Sequence, residues 1–287
     1  MIKSNVIAGV MNWGVWGKNL SISEMAERIN CLISEGIYCF DHADIYGGYS
    51  TEESFGNALQ KANVAREKIQ LITKCGIQYV CEAKPHTIKH YDYSKEHITA
   101  AVHQSLKNLK TDYLDILLLH RPSPLLQAEE VAETITQLKK EGKILGFGVS
   151  NFLPHQTALL RRYIPVDYNQ IQFSATHYHP MTNGELDYMK LHDIQPMAWN
   201  PLGSVFREEN EQTNRLKMLL ADLILKYEVS AEIILLTWIL RHPSKIIPVI
   251  GTTNLDRILN LKKLLDFELE TEDWFAIWTA SMGHRVP

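Results

Sequence analysis

Four side chains in this sequence have the types and order needed for acid–base work on an oxygen atom: Asp41, Tyr46, Lys74 and His120. Each ends or closely follows a short apolar run. Asp41 closes the run 38–40 and Tyr46 lies five residues beyond it; Lys74 follows 69–72; His120 follows 115–119. A phenol, with a reference pKa of about 10, is a poor acid at neutral pH when unaided. A neighbouring ammonium favours the phenolate and draws that value down. An aspartate balances and holds the ammonium, and a histidine can donate a hydrogen bond that orients a carbonyl. Together the four suit protonation of a carbonyl oxygen while a hydride reaches its carbon.

Later apolar runs end in residues that would serve a hydride carrier. Trp199 offers a flat face on which a nicotinamide ring could stack, and Ser150, Asn151 and Gln170 could hydrogen-bond its carboxamide. Thr252 and Arg257 could face an adenosine 2′-phosphate. Each residue also has a plainer reading. The Asp–Lys pair could be structural, His120 a satisfied rim histidine and Trp199 core packing. Ser150 and Asn151 could cap the next helix, and Arg257 could be a solvated helix residue. What joins them is that all sit where apolar runs end, in the order that a single cleft requires. Cys75 adjoins Lys74, but no base lies near it in sequence to make it a nucleophile. His177 and His179, with Asp41, His42, Asp44 and His120, offer a competing reading as a metal-dependent barrel hydrolase. That reading leaves Lys74 and Tyr46 without a task, and no metal site is expected.

The elements that must position these residues alternate along the whole chain. Apolar runs read as strands at 6–10, 38–40, 69–72, 115–119, 145–149, 168–172, 197–199 and 246–250. Helical patterns fall at 22–35, 51–60, 95–110, 131–140, 154–162, 184–192, 214–226, 231–240 and 255–265. Ser21 with Glu24, and Ser50 with Glu53, have capping-box spacing. Repeated βα units of this number predict an α/β fold, a closed (β/α)8 TIM barrel in a single domain over 1–287, whose chemistry sits at the C-terminal strand ends. A doubly wound sheet is the competing fold, but neither GxGxxG nor a P-loop occurs. Residues 76–93 are long for a strand-to-helix loop and are expected to cover the active end of the barrel.

At 287 residues and 45% apolar, the chain can fill one large core. Lys and Arg number 29 against 33 Asp and Glu, a net charge of −4, which argues against broad nucleic-acid binding. The cysteines, Cys31, Cys39, Cys75 and Cys81, form no CxxC and no disulfide framework, which suits a reducing, cytoplasmic setting. No leader h-region and no apolar run of about 18 residues is found, so no membrane span is expected. A monomer or weak homo-oligomer is expected.

The motifs FDHADIYG, ITKCG, LLLHRP and GVSNF, in this order, resemble those of the aldo-keto reductases, in particular a bacterial branch. The resemblance runs from Gly9 to the terminal Val286 and Pro287. It implies reduction of an aldehyde or ketone with NADPH and a small-molecule carbonyl substrate. It carries a catalytic tetrad onto Asp41, Tyr46, Lys74 and His120, with Tyr46 as the acid. Ser150, Asn151 and Gln170 match carboxamide-binding residues, and Trp199 matches the stacking aromatic. Leu202, Gly203 and Ser204 match the start of the pyrophosphate-covering loop, and Thr252 and Arg257 match the 2′-phosphate residues. Two departures stand out. Gly251 replaces a lysine common in the family, so NADH is expected to be discriminated against less strongly. The N-terminal hairpin is expected to be absent or reduced. Trp13, Arg121, His177, the segment after Cys75 and the C-terminal tail are expected to shape the pocket. A chain resembling this family could also use the cofactor only for sensing or as a partner-bound subunit.

Overall fold

The computed structural model describes residues 2–286. Eight parallel strands close into a barrel: β1 (Ile7–Gly9), β2 (Cys39–Asp41), β3 (Gln70–Cys75), β6 (Leu114–Leu119), β7 (Ile144–Ser150), β8 (Tyr168–Gln172), β9 (Gln195–Trp199) and β10 (Ile247–Ile250). Their order around the barrel follows the chain, and β10 pairs with β1 to shut it. The doubly wound alternative is thereby excluded. The two remaining strands, β4 (Ile77–Gln78) and β5 (His90–Tyr91), form an antiparallel hairpin inside the long segment 76–93.

Alternation along each strand decides which residues meet inside. Ile7, Cys39, Ile72, Ile116, Leu118, Tyr168, Met197 and Val249 pack together in the barrel interior. Their chain neighbours Phe40, Leu71, Leu117 and Leu119, and Phe147 on β7, pack outward against the helices. Two positions up from the interior residues Cys39, Ile72 and Tyr168 stand Asp41, Lys74 and Gln170. The period of two therefore puts three polar side chains in the top interior layer. On β7 the interior positions are Gly146 and Gly148; a Cβ on Gly148 would stand 2.7 Å from Cβ of Tyr168 and 2.8 Å from Leu118. The missing side chains make room for the Tyr168 ring.

The outer helices are α1 (Ile22–Ser34), α2 (Thr51–Ala62), α3 (Lys95–Leu109), α4 (Ala128–Lys140), α5 (Pro154–Arg161), α6 (Glu185–Leu191), α7 (Glu211–Tyr227), α8 (Ala231–Leu240), α9 (Leu255–Leu259) and α10 (Thr271–Met282). The capping box of Ser21 and Glu24 is present at α1. That of Ser50 and Glu53 is not: the Ser50 hydroxyl instead donates to the Gly47 carbonyl at 2.8 Å and tightens the loop after Tyr46. The pattern at 255–265 divides into the short α9 and a 3-10 turn over Asn260–Leu265. The helix α10, which the sequence pattern did not reveal, packs on α7 and α8. Trp238 and Trp274 stack at 5.2 Å, and each indole N–H donates to the other's backbone carbonyl. Among the described residues no helix is long and apolar enough to cross a membrane.

Candidate active site

Asp41, Lys74 and Tyr46 form one buried cluster at the C-terminal rim. Lys74 Nζ donates to both carboxylate oxygens of Asp41 at 2.7 and 2.8 Å, to the His42 carbonyl at 2.8 Å and to Tyr46 Oη at 3.2 Å. These contacts use up the three ammonium protons, so Lys74 has no donor left for a ligand. Gln170 Nε2 donates to Asp41 Oδ1 at 2.8 Å and ties the cluster to the far side of the barrel. His120 stands beside the phenol, with ring centroids 6.2 Å apart. Its backbone N–H donates to the Cys75 carbonyl at 3.0 Å, which continues the β3–β6 register beyond the strand end.

The electrostatics suit an acid. Burial pushes the Tyr46 phenol above its usual pKa; Lys74 pulls it down and Asp41 raises it, and the net direction is upward. This corrects the simple expectation that Lys74 lowers the value overall. Tyr46 therefore carries its proton at neutral pH, as a donor must. Burial draws the Lys74 ammonium down, but Asp41 and Tyr46 outweigh burial, so it stays charged. Burial, and then the charge of Lys74, hold His120 well below its usual pKa, so its imidazole is neutral.

The residues proposed to hold a cofactor divide in two. Asn151 and Trp199 line a cavity of about 240 Å³, together with two residues expected to shape the pocket, Arg121 and His177, and with Leu153, Ile171, Gln172, Pro180 and Glu185. The Trp199 indole N–H donates to Asn151 Oδ1 at 2.8 Å, and the Asn151 amide donates to Ser150 Oγ at 2.7 Å. Ser150 Oγ in turn donates to the Gln170 carbonyl at 2.9 Å. Ser150 and Asn151 thus bond one another and the neighbouring strands; the α5 N-cap is Leu153, so capping is not their role. Gln170 commits an amide N–H to Asp41, and its backbone carbonyl is taken by Ser150 Oγ and the Asn151 N–H. Leu202, Gly203 and Ser204 follow β9. Gly203 has φ +58°, and a Cβ there would lie 2.0 Å from Thr176 Oγ1, which accepts from the Ser204 N–H at 3.0 Å. This loop can press against Thr176 only with glycine. Thr252 and Arg257 lie beyond β10, where Thr252 Oγ1 accepts from the Asn254 N–H at 3.3 Å. Arg257 reaches Glu232 at 3.7 Å with most of its side chain in solvent.

Some expectations fail. Trp13 does not reach the pocket; it is buried against Phe55, with ring centroids 6.0 Å apart. Trp16 takes the place at the rim, 6.2 Å from the Tyr46 ring and 5.1 Å from Tyr79 of the hairpin segment. The hairpin thus does cover the active end. His42 points into the core against the Phe55 ring at 4.3 Å, and burial lowers its pKa to about 3. Asp44 is half-buried with both carboxylate oxygens shielded from solvent; that burial, then its neighbour Glu52, push its carboxyl well above the usual range. The His177 and His179 rings are 6.2 Å apart. Among the described residues no three His, Cys, Asp or Glu side chains converge to hold a metal ion.

A barrel with a buried Tyr–Lys–Asp cluster and a neutral histidine at its C-terminal rim defines a class of oxidoreductase, and comparison with known proteins gives the family. The model of the aldo/keto reductase family matches residues 5–281. The chain is 42% identical to the oxidoreductase YcsN of Bacillus subtilis, over 99% of this chain and 96% of that one. It is 37% identical to the 6-dehydroglucose reductase of Agrobacterium fabrum, over 96% and 94% of the two chains. A solved aldo/keto reductase from Klebsiella pneumoniae, in complex with NADP and acetate, superposes with a TM-score of 0.79 at 22% identity, over 95% of this chain and 89% of that one. The chain belongs to the aldo/keto reductase family and is an oxidoreductase.

Proposed function

We propose that this protein reduces the carbonyl of an aldehyde or ketone to an alcohol, with NADPH as the reductant and Tyr46 as the proton donor. The observation that carries the reading is the exhausted ammonium of Lys74, whose contacts on Asp41, the His42 carbonyl and Tyr46 fix the phenol in place. The residues present fit a nicotinamide. The indole face of Trp199 and the amide groups of Asn151 and Gln170 offer a flat apolar surface with hydrogen-bonding groups beside it, which is what a ring bearing a carboxamide needs. When bound, the reduced nicotinamide supplies a hydride equivalent.

The chain's own residues do the rest. Neutral His120 donates to the carbonyl oxygen and orients it. Tyr46 donates its proton to that oxygen as negative charge develops, and Lys74 stabilises the phenolate left behind. Asp41 keeps Lys74 charged and in place. In the reverse direction the phenolate accepts the proton of an alcohol. Ser150, Asn151, Gln170 and Trp199 would hold the nicotinamide end, and Leu202, Gly203 and Ser204 would cover the pyrophosphate. Thr252 and Arg257 would meet the 2′-phosphate, with NADH less strictly excluded because Gly251 brings no charge. Residues 1–287 would work as one barrel domain, as a monomer or weak homo-oligomer, without nucleic acid. The free cysteines suit the cytoplasm.

The test is Tyr46→Phe. The variant is expected to bind NADPH as the parent does, followed by quenching of tryptophan fluorescence, and to reduce aldehydes at least about 100-fold more slowly. Turnover within a few-fold of the parent would remove Tyr46 from the role of acid.

A further inference from the structure

Arg121, the residue after His120, has no task in the reaction so far. It lines the cavity with Trp199, and its guanidinium carbon lies 5.6 Å from the centre of the indole ring. The side chain is half-buried and, among the described residues, makes no ion pair. A guanidinium is permanently charged and carries five N–H donors in a planar fork. Its backbone is fixed from both sides by one phenol: Tyr93 Oη donates to the Arg121 carbonyl at 2.5 Å and accepts from the Arg121 N–H at 3.0 Å. Tyr93 can reach this turn because Gly76, at φ +107°, has no side chain; a Cβ there would lie 2.0 Å from the Tyr93 ring. The backbone that carries the fork is therefore anchored by Tyr93, at the end of the segment 76–93.

The charges around it are predominantly positive. The fields of Lys74, Arg121 and Lys89 all act on His120. Lys74 is matched by Asp41, but Arg121 and Lys89 have no carboxylate partner among the described residues. The acidic side chain in the same cavity, Glu185, accepts from the Asn183 amide and lies beyond ion-pair distance of Arg121. Aliphatic or neutral substrates would leave a partly desolvated cation unanswered, whereas a carboxylate or phosphate answers it with a charge-assisted, bidentate pair.

Resting on the reductase reading, we propose that Arg121 is the specificity-determining residue for substrates whose carbonyl carries an acidic group, a carboxylate or phosphate a few bonds away. No covalent step is added: the anion binds the guanidinium fork while the carbonyl oxygen meets Tyr46 and His120.

Matched aldehydes test this with the full protein and NADPH. Glyceraldehyde 3-phosphate is compared with glyceraldehyde, and succinic semialdehyde with butanal, in the parent, in Arg121→Gln and in Arg121→Lys. The parent is expected to favour each anion over its neutral partner by at least about 10-fold in kcat/KM, mainly through KM, and less so as salt is raised. Arg121→Gln should bring both ratios to within about 3-fold of unity, and Arg121→Lys should restore part of them. A gain confined to one pair identifies whether carboxylate or phosphate is the group recognised. Equal turnover of charged and neutral aldehydes by the parent, or ratios unchanged in Arg121→Gln, would overturn the assignment while leaving the reductase reading intact. Failure to reduce any of the four with NADPH bound would overturn both. NADPH quenching in each variant shows that it has folded.

Discussion

On the β2–β3–β6 side of the rim, Asp41 and Lys74 are 3% and 1% exposed and meet at 2.7 Å. Across the barrel, beyond β10, the Arg257 side chain is 65% exposed and reaches its partner at 3.7 Å. The first arrangement is dry, and each of its charges is answered by the fold itself. The second is wet, and its cation keeps most of its freedom. The difference teaches where preorganisation matters. In the proposed reaction a proton is delivered along one line, and a donor fixed before anything binds serves that. A phosphate brings its own charge and can order a surface arginine on arrival. Changes on the dry side should therefore cost stability and rate together, and changes on the wet side should alter affinity alone.

The largest effect is expected from Lys74→Met. It leaves the Asp41 carboxylate buried with only Gln170 to answer it. Removing one partner of a buried pair costs about 3–5 kcal/mol. Urea unfolding should show a loss of that size, with carbonyl reduction reduced at least as far as in Tyr46→Phe. A loss below about 1 kcal/mol would mean that the cluster is solvated and that the contrast between the two sides is wrong.

Acid should also act on the dry side first. His42 takes a proton near pH 3 when folded but near its ordinary 6.5 when unfolded. Between those values the unfolded chain binds more protons, so this contribution to stability is complete above about pH 6.5 and is lost as pH falls. At pH 4 the loss from His42 alone is about 3 kcal/mol. His120, also held low, adds to it in the same direction. Melting temperature followed from pH 7 to pH 4 should fall steeply, and His42→Leu should flatten that fall. An equal slope in parent and variant would show that His42 is solvated in the folded protein.

The same contrast explains what could be read from sequence. The dry side follows from strand periodicity: Cys39 and Asp41, Ile72 and Lys74, and Tyr168 and Gln170 are each two apart, so apolar interior residues beneath predict polar ones above. Strand-to-strand register then brings them together. Loops have no such period. Trp13 and Trp16 lie in one loop, and only the packed structure shows that Trp13 turns into the core and Trp16 to the rim. Ser50 has capping spacing, but its hydroxyl bonds the Gly47 carbonyl, a competition between two local partners that spacing does not resolve. Along α10 only Ile277 and Ser281 are fully buried, so its sequence shows little of the apolar stripe by which a helix is recognised. The outward direction of His42, against Phe55 of α2, was hidden for a related reason: it alternates with Asp41, and a polar residue facing the helices is not what alternation leads one to expect.

The smallest effect belongs to the wet side and sharpens the comparison most. Gly251 is exposed, its φ is not in the left-handed region, and a Cβ there would meet only Asn12 Nδ2 at 3.5 Å, an ordinary contact. A lysine at 251 is therefore accommodated without strain and would add a second cation near Arg257. An exposed charge pair contributes about 0.2–1 kcal/mol, so Gly251→Lys should tighten NADPH by up to about 5-fold and leave NADH within about 2-fold. Arg257→Ala should shift the same ratio in the opposite direction. Both changes should fade as salt is raised, because exposed charges are screened. Neither should move the unfolding midpoint or the rate at saturating cofactor, since neither residue touches the Lys74 cluster. Titration of each variant with the two cofactors at low and high salt separates the outcomes. A parallel change in NADPH and NADH affinity would mean that these residues shape the loop rather than meet the phosphate. A fall in turnover with affinity unchanged would mean that the two sides of the rim are coupled.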